Sequence, residues 1–500
     1  MVLMKKVIII GAGVAGLASA IRLKTLGFDV EIYEKNEKVG GRMFSIEERG
    51  FKFDVGPTIV MMPDFYKDVF TFSGVNPDDY IQMVQVDPLN VIHFSDGTSV
   101  KVSSNLPSLM AELEKFGMKE TDGYLAYLAD VYERYAIVKE TFLEKSYRKP
   151  LEFFNPKTLY KILKLKTLNS AYTSISKFVK DEKLRQILSF QTLYIGVSPF
   201  SGPSIYTIIP MIELVYGVWY IKGGMYQMAK AMERRFIEMG GKIRFNSPVE
   251  EILTLSGKVT GVLVAGKPIY SDIVLCNADF PWAMNNLIKQ DELKGKYTPK
   301  KIEKMKYASS SFVIYLGLKK KYPTSVHAIR FAKDFKKNIE ELDQDILPDD
   351  PSFYMYSPSQ IDPTVAPENK ELLYILVPVP NMKSGQFEWD FGMTEAYKDK
   401  ILDMIEKIPG FEDIKKNIEV LKIYSPKTYG YKFNLEHGAT FGLKPTLTQS
   451  VYFRPQTKFK TIENLYFAGS SNHPGAGVPI VLASAKLAVN DILKDHTTHE

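Results

Sequence analysis

The sequence predicts an α/β fold in which a parallel sheet with helices is interrupted by a helical subdomain and by a second, α+β domain. Three observations predict it. An unbroken apolar run at Val7 to Ile10 ends on a glycine-rich turn and a helix. Short strand-like segments reappear between residues 242 and 276. A second strand, glycine loop and helix close the chain after residue 463.

Val7 to Ile10 reads as a strand buried on both faces. Gly11, Gly13 and Gly16 follow as G-x-G-x-x-G with Ala12 and Ala15 between them, the first turn of a Rossmann-like unit. Gly11 permits the tight turn, Gly13 admits a pyrophosphate to the backbone, and Gly16 lets helix and strand approach. The helix begins near Val14, turns Leu17, Ala20, Ile21 and Leu26 inward, and ends at Gly27. Phe28, Val30 and Ile32 alternate as the next strand, and Glu34 then falls on its apolar face, where ribose hydroxyls are the partner expected of a carboxylate. A structural turn or a signal peptide are the alternatives. Three glycines in the run and no cleavage site exclude the signal peptide.

Lys35 is followed by Gly40-Gly41-Arg42, which would bring backbone amides and a guanidinium over a diphosphate. A nicotinamide enzyme would continue here as an ordinary βα connection, so the extra loop points to FAD. Phe51, Phe53 and Val55 alternate into Gly56-Pro57-Thr58, a turn suited to pass under a flavin ring.

Residues 105–220 are helical in pattern. Between Lys145 and Lys180 lie nine lysines and arginines against Glu152 alone, mixed with Tyr147, Phe153, Phe154, Tyr160, Ile162, Leu163 and Leu165. Such a helix suits a bilayer interface, or is a solvated face. Phe190 to Tyr226 is dense in Ile, Leu, Tyr, Phe and Trp, enough to line an apolar tunnel or to form core. A helix follows Lys222-Gly223-Gly224-Met225, running from Met228 to Met239. Strands then fall at Lys242 to Phe245, Val249 to Ile252, Val259 to Val264 and Ile273 to Cys276, returning to the first domain. Phe312 to Leu318, Phe353 to Tyr356 and Leu372 to Val377 are strands of the second domain, with a helix over Met393 to Ile408 and Pro378 and Pro380 at its edges. The expected parts are 1–104, 221–294 and 441–500 for the cofactor domain, 105–220 for the helical subdomain and 295–440 for the substrate sheet.

Leu465 to Phe467 runs into Gly469 and Ser470, then His473-Pro474-Gly475-Ala476-Gly477-Val478-Pro479, then a helix from Ile480 to Leu493. A second glycine loop at a helix N-terminus suits the pyrophosphate or the flavin. Both ends of the chain thus converge on one cofactor.

The bulk numbers limit the remaining choices. Five hundred residues allow two or three domains. One cysteine, Cys276, excludes a disulfide framework and fits a reducing cytoplasm. No apolar run reaches the roughly 20 residues of a membrane span. The balance of 64 basic and 58 acidic residues gives +6, compatible with a phospholipid surface. No nucleic-acid module is present. The six histidines show no metal-ligand spacing, and His496 and His499 read as solvated.

The stretches GAGVAGLASAIRL, VGGR, FDVGPTIVMMPD, FQTLYIG, GPSIYTIIPMIE, KGGMYQMA and LYFAGSSNHPGAGVPIVLASAK together resemble the bacterial carotenoid (phytoene) desaturase family, above all its C30 branch acting on dehydrosqualene (4,4′-diapophytoene). The likeness runs from residue 5 to about 494. It implies a GR2/amine-oxidase-like FAD fold, a long apolar polyene substrate, a peripheral place on the cytoplasmic face of the membrane, and quinone or oxygen as electron acceptor. It also implies an FAD site lined by Gly11, Ala12, Gly13, Ala15, Gly16, Glu34, Lys35, Gly40, Gly41, Arg42, Gly56, Pro57, Thr58, Val249, Gly469, Ser470, Gly475, Gly477, Val478 and Pro479. Ser470 stands where many flavoenzymes carry an acid. Hydride would pass to flavin N5, with the cation spread over the polyene, so no oxyanion hole or metal is needed. Glu213 is the one candidate proton acceptor, and is otherwise a structural or rim carboxylate. The rival readings are a carotenoid terminal-methyl oxygenase or carotene isomerase, a flavin-free prenyl-binding protein on the same fold, and an amine oxidase.

Overall fold

The computed structural model describes residues 5–496. Its first sheet has five parallel strands in the order Leu465–Phe467, Ile273–Cys276, Lys6–Ile10, Asp29–Tyr33, Lys242–Arg244. The central strand, Lys6–Ile10, is flanked on both sides, so Val7, Ile8 and Ile9 are wholly buried and no polar residue is tolerated between them. The strand order requires three distant stretches of chain to meet in one sheet, as expected for a discontinuous domain.

The helices Val14–Thr25, Tyr226–Glu238 and Val478–His496 pack on one face of this sheet. Ala15, Leu17, Ala18, Ala20 and Ile21 form the buried side of the first helix, but Leu26 is 39% exposed and does not belong to it. Leu26 is the C-cap and Gly27, at φ +88°, makes the turn beyond it, so Leu26 already points away from the core. The last helix is longer than the segment expected, from Val478 to His496, and the His496 ring meets the Lys5 ammonium at 3.0 Å rather than standing free in solvent. His499 lies outside the described residues. An antiparallel trio, Val249–Leu255, Lys258–Val264 and Lys267–Tyr270, covers the other face.

The second sheet has seven strands in the order Ile418–Tyr424, Ser310–Leu318, Glu371–Val379, Phe353–Tyr356, His327–Arg330, Asn90–His93, Ser99–Val102. Asn90–His93 and Ser99–Val102 therefore extend this sheet, although the boundary drawn from sequence at residue 104 put them with the cofactor domain. Their alternation is too short to reveal which sheet they join. Pro378 does not mark an edge. It sits near the end of an interior strand, paired with Ser311 beyond the last residues that Phe353–Tyr356 reaches. The helix expected over Met393 to Ile408 runs from Phe391 to Ile405.

Ser310–Leu318 is buried at every residue, with two different environments for its two faces. Phe312, Ile314 and Leu316 pack against Tyr397, Ile401 and Ile405 of that helix. Val313 and Tyr315 face the other way, into the core shared with the helical subdomain. That subdomain comprises Met118–Val138, Glu182–Ser189, Ile208–Tyr216 and shorter helices. The basic segment is not one helix but three, Pro150–Phe153, Pro156–Lys164 and Ala171–Ile175, because prolines restart the chain at 150 and 156. Among the described residues, no helix is long and apolar enough to cross a membrane.

Candidate cofactor and substrate site

One cavity of about 1240 Å³ runs from the glycine loops of the first sheet to the tyrosine-rich face of the second. Its floor is the carboxyl end of the parallel strands, where open α/β sheets bind ligands. Gly11, Gly13, Ala15, Glu34, Lys35, Gly40, Gly41, Arg42, Gly56, Pro57, Thr58, Val249, Gly469, Ser470, Gly475, Gly477, Val478 and Pro479 all line it. Ala12 and Gly16 do not. Ala12 is buried behind the turn, and its N–H donates to Glu34 Oε2 at 2.7 Å.

The glycines have separate reasons. A Cβ on Gly16 would lie 2.1 Å from the Gly11 carbonyl oxygen, so this residue serves the strand–helix approach and not the ligand. A Cβ on Gly13 would lie 2.6 Å from Asn277 Oδ1, and one on Gly56 2.2 Å from the Arg42 carbonyl. Gly475 and Gly477, at φ +153° and +101°, have nothing nearer than 3.8 Å on that side, so open space there faces the N-terminus of Val478–His496. Together with the N-terminus of Val14–Thr25, its backbone amides would fit a diphosphate.

Glu34 is only 4% exposed and already has partners within the protein while still lining the cavity. Oε2 accepts from Ala12 N–H, and Oε1 accepts from the backbone and side-chain N–H groups of Asn36, both at 2.8 Å. A carboxylate has about four acceptor positions, so room for a ribose hydroxyl remains. Lys35 donates to the side chain of Asn434, which lines the same cavity, at 2.6 Å. Arg42 donates to the Thr440 carbonyl at 2.6 Å and to Ser470 Oγ at 2.7 Å. Burial lowers its pKa while Asp279 opposes that shift. The donor set fits a dinucleotide with a diphosphate.

Three residues of this region have no sequence motif. Asn277 follows the strand Ile273–Cys276, donates to the Ala468 carbonyl at 2.7 Å and so ties two strand ends together. Asp279 accepts from Ser471 Oγ at 2.5 Å. Arg454, 1% exposed, donates to the carbonyls of Leu443, Gln449, Ser470 and Asn472 and fixes the loop before the last helix. The position of Asn277 at a parallel strand's carboxyl end was the available signal for it.

Away from the glycine loops the cavity is apolar. Phe190, Leu193, Tyr194, Ile205, Ile209 and Ile212 line it from the aromatic stretch, while Met211, Val218 and Tyr220 of the same stretch are core, so both readings of that segment apply. Tyr315 and Tyr429 donate to the Val55 carbonyl, at 2.7 and 3.3 Å, and Tyr374 donates to that of Gly56 at 3.3 Å. Two strands of the second sheet and the helix Pro426–Phe433 thereby hold the 55–58 turn. Glu213 is 1% exposed and does not line the cavity, so it is not a rim carboxylate. Cys276 is buried in its strand.

Comparison with known proteins agrees with this architecture. The model of the flavin containing amine oxidoreductase family matches residues 14–493. A 4,4′-diapophytoene desaturase (4,4′-diaponeurosporene-forming) of Staphylococcus haemolyticus is 45% identical over 492 residues, covering 97% of this chain and 98% of that protein. The enzyme of the same description from Staphylococcus aureus strain Newman is 42% identical over 496 residues, covering 98% and 99%. Among solved structures, an oxidoreductase from Methanosarcina mazei superposes with TM-score 0.64 at 16% identity, over 98% of this chain and 100% of that one. A putrescine oxidase double mutant gives 0.63 at 14%, over 98% of both, and both structures speak to the fold alone. The chain is an FAD-dependent oxidoreductase and belongs to the flavin containing amine oxidoreductase family.

Proposed function

We propose that this protein desaturates 4,4′-diapophytoene towards 4,4′-diaponeurosporene while docked on a membrane. The observation that carries the reading is the continuity of one cavity. Its polar end suits a flavin dinucleotide and its apolar end suits a polyene. Near-full-length similarity to diapophytoene desaturases supports the substrate class. Bound FAD supplies the hydride acceptor.

The protein's own contribution is binding, orientation and exclusion of water. Phe190, Leu193, Ile209, Ile212 and Phe331 hold an extended hydrocarbon against the 55–58 turn. Burial of such a chain contributes roughly 0.8 kcal/mol per CH₂ group, enough to retain a substrate that offers no polar handle. Met61 and Met62 add adaptable packing at the turn.

The mouth supports the membrane reading. Ile162, Leu165, Leu168, Leu447, Val451 and Phe453 line the outer cavity, and Leu168 is 89% exposed. Leu151, Tyr160 and Leu163, on the helices that carry the lining residues Phe153 and Ile162, are 80%, 60% and 75% exposed, interspersed with Lys157 and Lys164. Apolar side chains among lysines at a cavity entrance suit the headgroup region of an anionic bilayer, from which a lipid-dissolved substrate would enter. The cytoplasmic leaflet, and quinone or oxygen as the final electron acceptor, complete the proposal.

Product analysis tests it. Protein reconstituted with FAD and phospholipid vesicles is incubated with 4,4′-diapophytoene. Products lengthened only in conjugation support the proposal. Oxygen inserted at a terminal methyl of a fully conjugated C30 polyene, with diapophytoene untouched, would assign the protein to the terminal oxygenases.

A further inference from the structure

Desaturation of a CH₂–CH₂ pair removes a hydride and a proton, and the cavity wall has to receive the proton. Once the hydride has left, the substrate is an allylic cation. The electron pair of its adjacent C–H bond becomes the new π bond as the proton departs. A base is needed inside an apolar tunnel, where water is excluded.

Away from the glycine loops, two buried polar clusters reach the apolar part of the wall. In the first, the Thr58 hydroxyl meets the Tyr354 hydroxyl at 2.8 Å, and that hydroxyl meets His327 Nδ1 at 2.7 Å. In the second, Gln191 Nε2 donates to Glu213 Oε2 at 3.2 Å, and the Tyr194 hydroxyl stands beside the same carboxyl group. Thr58, Tyr354 and Tyr194 line the cavity, while His327 and Glu213 lie behind them. Glu213 Oε1 is buried with no hydrogen-bond partner among the described residues, an unsatisfied acceptor held close to the tunnel.

The clusters differ in what a proton does to them. A proton on His327 creates a charge in a fully buried site, and burial has already pushed its pKa down to about 3. A proton on Glu213 removes a charge from an equally buried site, where burial pushes the carboxyl up to about 7. His327 Nδ1 is already engaged by the Tyr354 hydroxyl, whereas Glu213 Oε1 is free to take a proton, and the carboxylate's negative charge also favours a cation forming nearby.

We propose that Tyr194 takes the proton from the substrate cation while passing its own to Glu213, with Gln191 holding the carboxylate in place. This rests on the desaturase reading given above. Bonds balance: the substrate C–H bond breaks, an O–H bond forms on Tyr194, the former Tyr194 proton forms an O–H bond on Glu213, and the new C=C bond closes the cation. The ionisable groups facing Glu213 are phenols, those of Tyr124 from Met118–Val138, Tyr194 from the 190–195 turn and Tyr354 from the second sheet, with His327 behind the last. All three phenols are held above their ordinary pKa, so Glu213 is the group among them that titrates near neutrality.

The experiment compares the native protein with Glu213→Gln and Tyr194→Phe on 4,4′-diapophytoene in vesicles, across pH 5.5 to 8.5. Removing a proton acceptor costs on the order of 100-fold in kcat. We expect that loss in Glu213→Gln with KM unchanged. The native kcat should rise with pH through about 7, as the carboxylate ionises, and this limb should vanish in the variant. A structural role would instead raise KM or release FAD and leave the pH limb in place. Tyr194→Phe, which keeps the ring, carries the same kcat expectation and decides the matter if Glu213→Gln fails to fold. Turnover within threefold of native in either variant, with the pH limb retained, overturns the assignment. A native protein that leaves diapophytoene unchanged overturns the desaturase reading itself, and the assignment of Glu213 with it.

Discussion

The Arg42 guanidinium donates to the Ser470 hydroxyl at 2.7 Å, across 428 residues of chain. Its other terminal nitrogen donates to the Thr440 carbonyl at 2.6 Å. One side chain from the first glycine-rich segment thus closes the cofactor end of the cavity against the last.

Hydrogen bonds to a charged group are worth about 1.5–3 kcal/mol each when they form inside a protein. Arg42→Ala should therefore weaken FAD retention by one to two orders of magnitude, and Ser470→Ala by less, since Thr440 still receives the guanidinium. Fluorescence titration of the apoprotein with FAD measures both. A loss in the double variant no larger than that in Arg42→Ala alone would establish that Ser470 acts through the guanidinium.

The glycines of the first turn should separate by their neighbours. Gly16→Ala puts a Cβ against a backbone oxygen that cannot move, and is expected to abolish folding or flavin content. Gly13→Ala puts one against the end of the Asn277 side chain, so Gly13→Ala with Asn277→Ala should recover part of the thermal stability lost by Gly13→Ala alone. Melting temperatures of the three variants check this.

The central part of the fold was legible because its signals are local. Gly11, Gly13 and Gly16 between an apolar strand and a helix announce their structure within a few residues. The C-terminal loop around Gly475 and Gly477 does the same. Asn277, Asp279 and Arg454 were not legible, since each acts on carbonyls or hydroxyls distant in sequence. The sheet assignment of Asn90–His93 was hidden for a related reason. Strand patterning reveals a buried face but not the neighbouring strand, and its partner His327–Arg330 lies far along the chain.

Asp54 gives a prediction in stability. Its carboxylate accepts from the N–H groups of Met225 and Tyr226 at 2.9 and 3.1 Å, yet burial raises its pKa from 3.8 to about 6. Because the folded value is the higher, its contribution is fully present below pH 3.8 and is lost as pH rises through about 6. Between those limits the native protein should lose roughly 2–3 kcal/mol relative to Asp54→Asn, whose side chain does not titrate. Urea unfolding of both proteins at pH 4.5 and 7 checks the sign.

The mouth gives a prediction in binding. Burying a leucine side chain contributes about 1.5–3 kcal/mol, so Leu163→Glu with Leu168→Glu should lower partitioning onto anionic vesicles by at least tenfold. Both side chains project into solvent, so FAD content should stay at the native level. Vesicle sedimentation and the flavin spectrum read the two quantities separately.

The most direct test of the account is anaerobic. Holoprotein in vesicles is mixed with 4,4′-diapophytoene, and the flavin and polyene absorption bands are followed together. Bleaching of the oxidised flavin band is expected in step with growth of longer-wavelength polyene bands, one flavin reduced for each double bond formed. A flavin band that stays oxidised while the hydrocarbon remains unchanged in the bound state would contradict it.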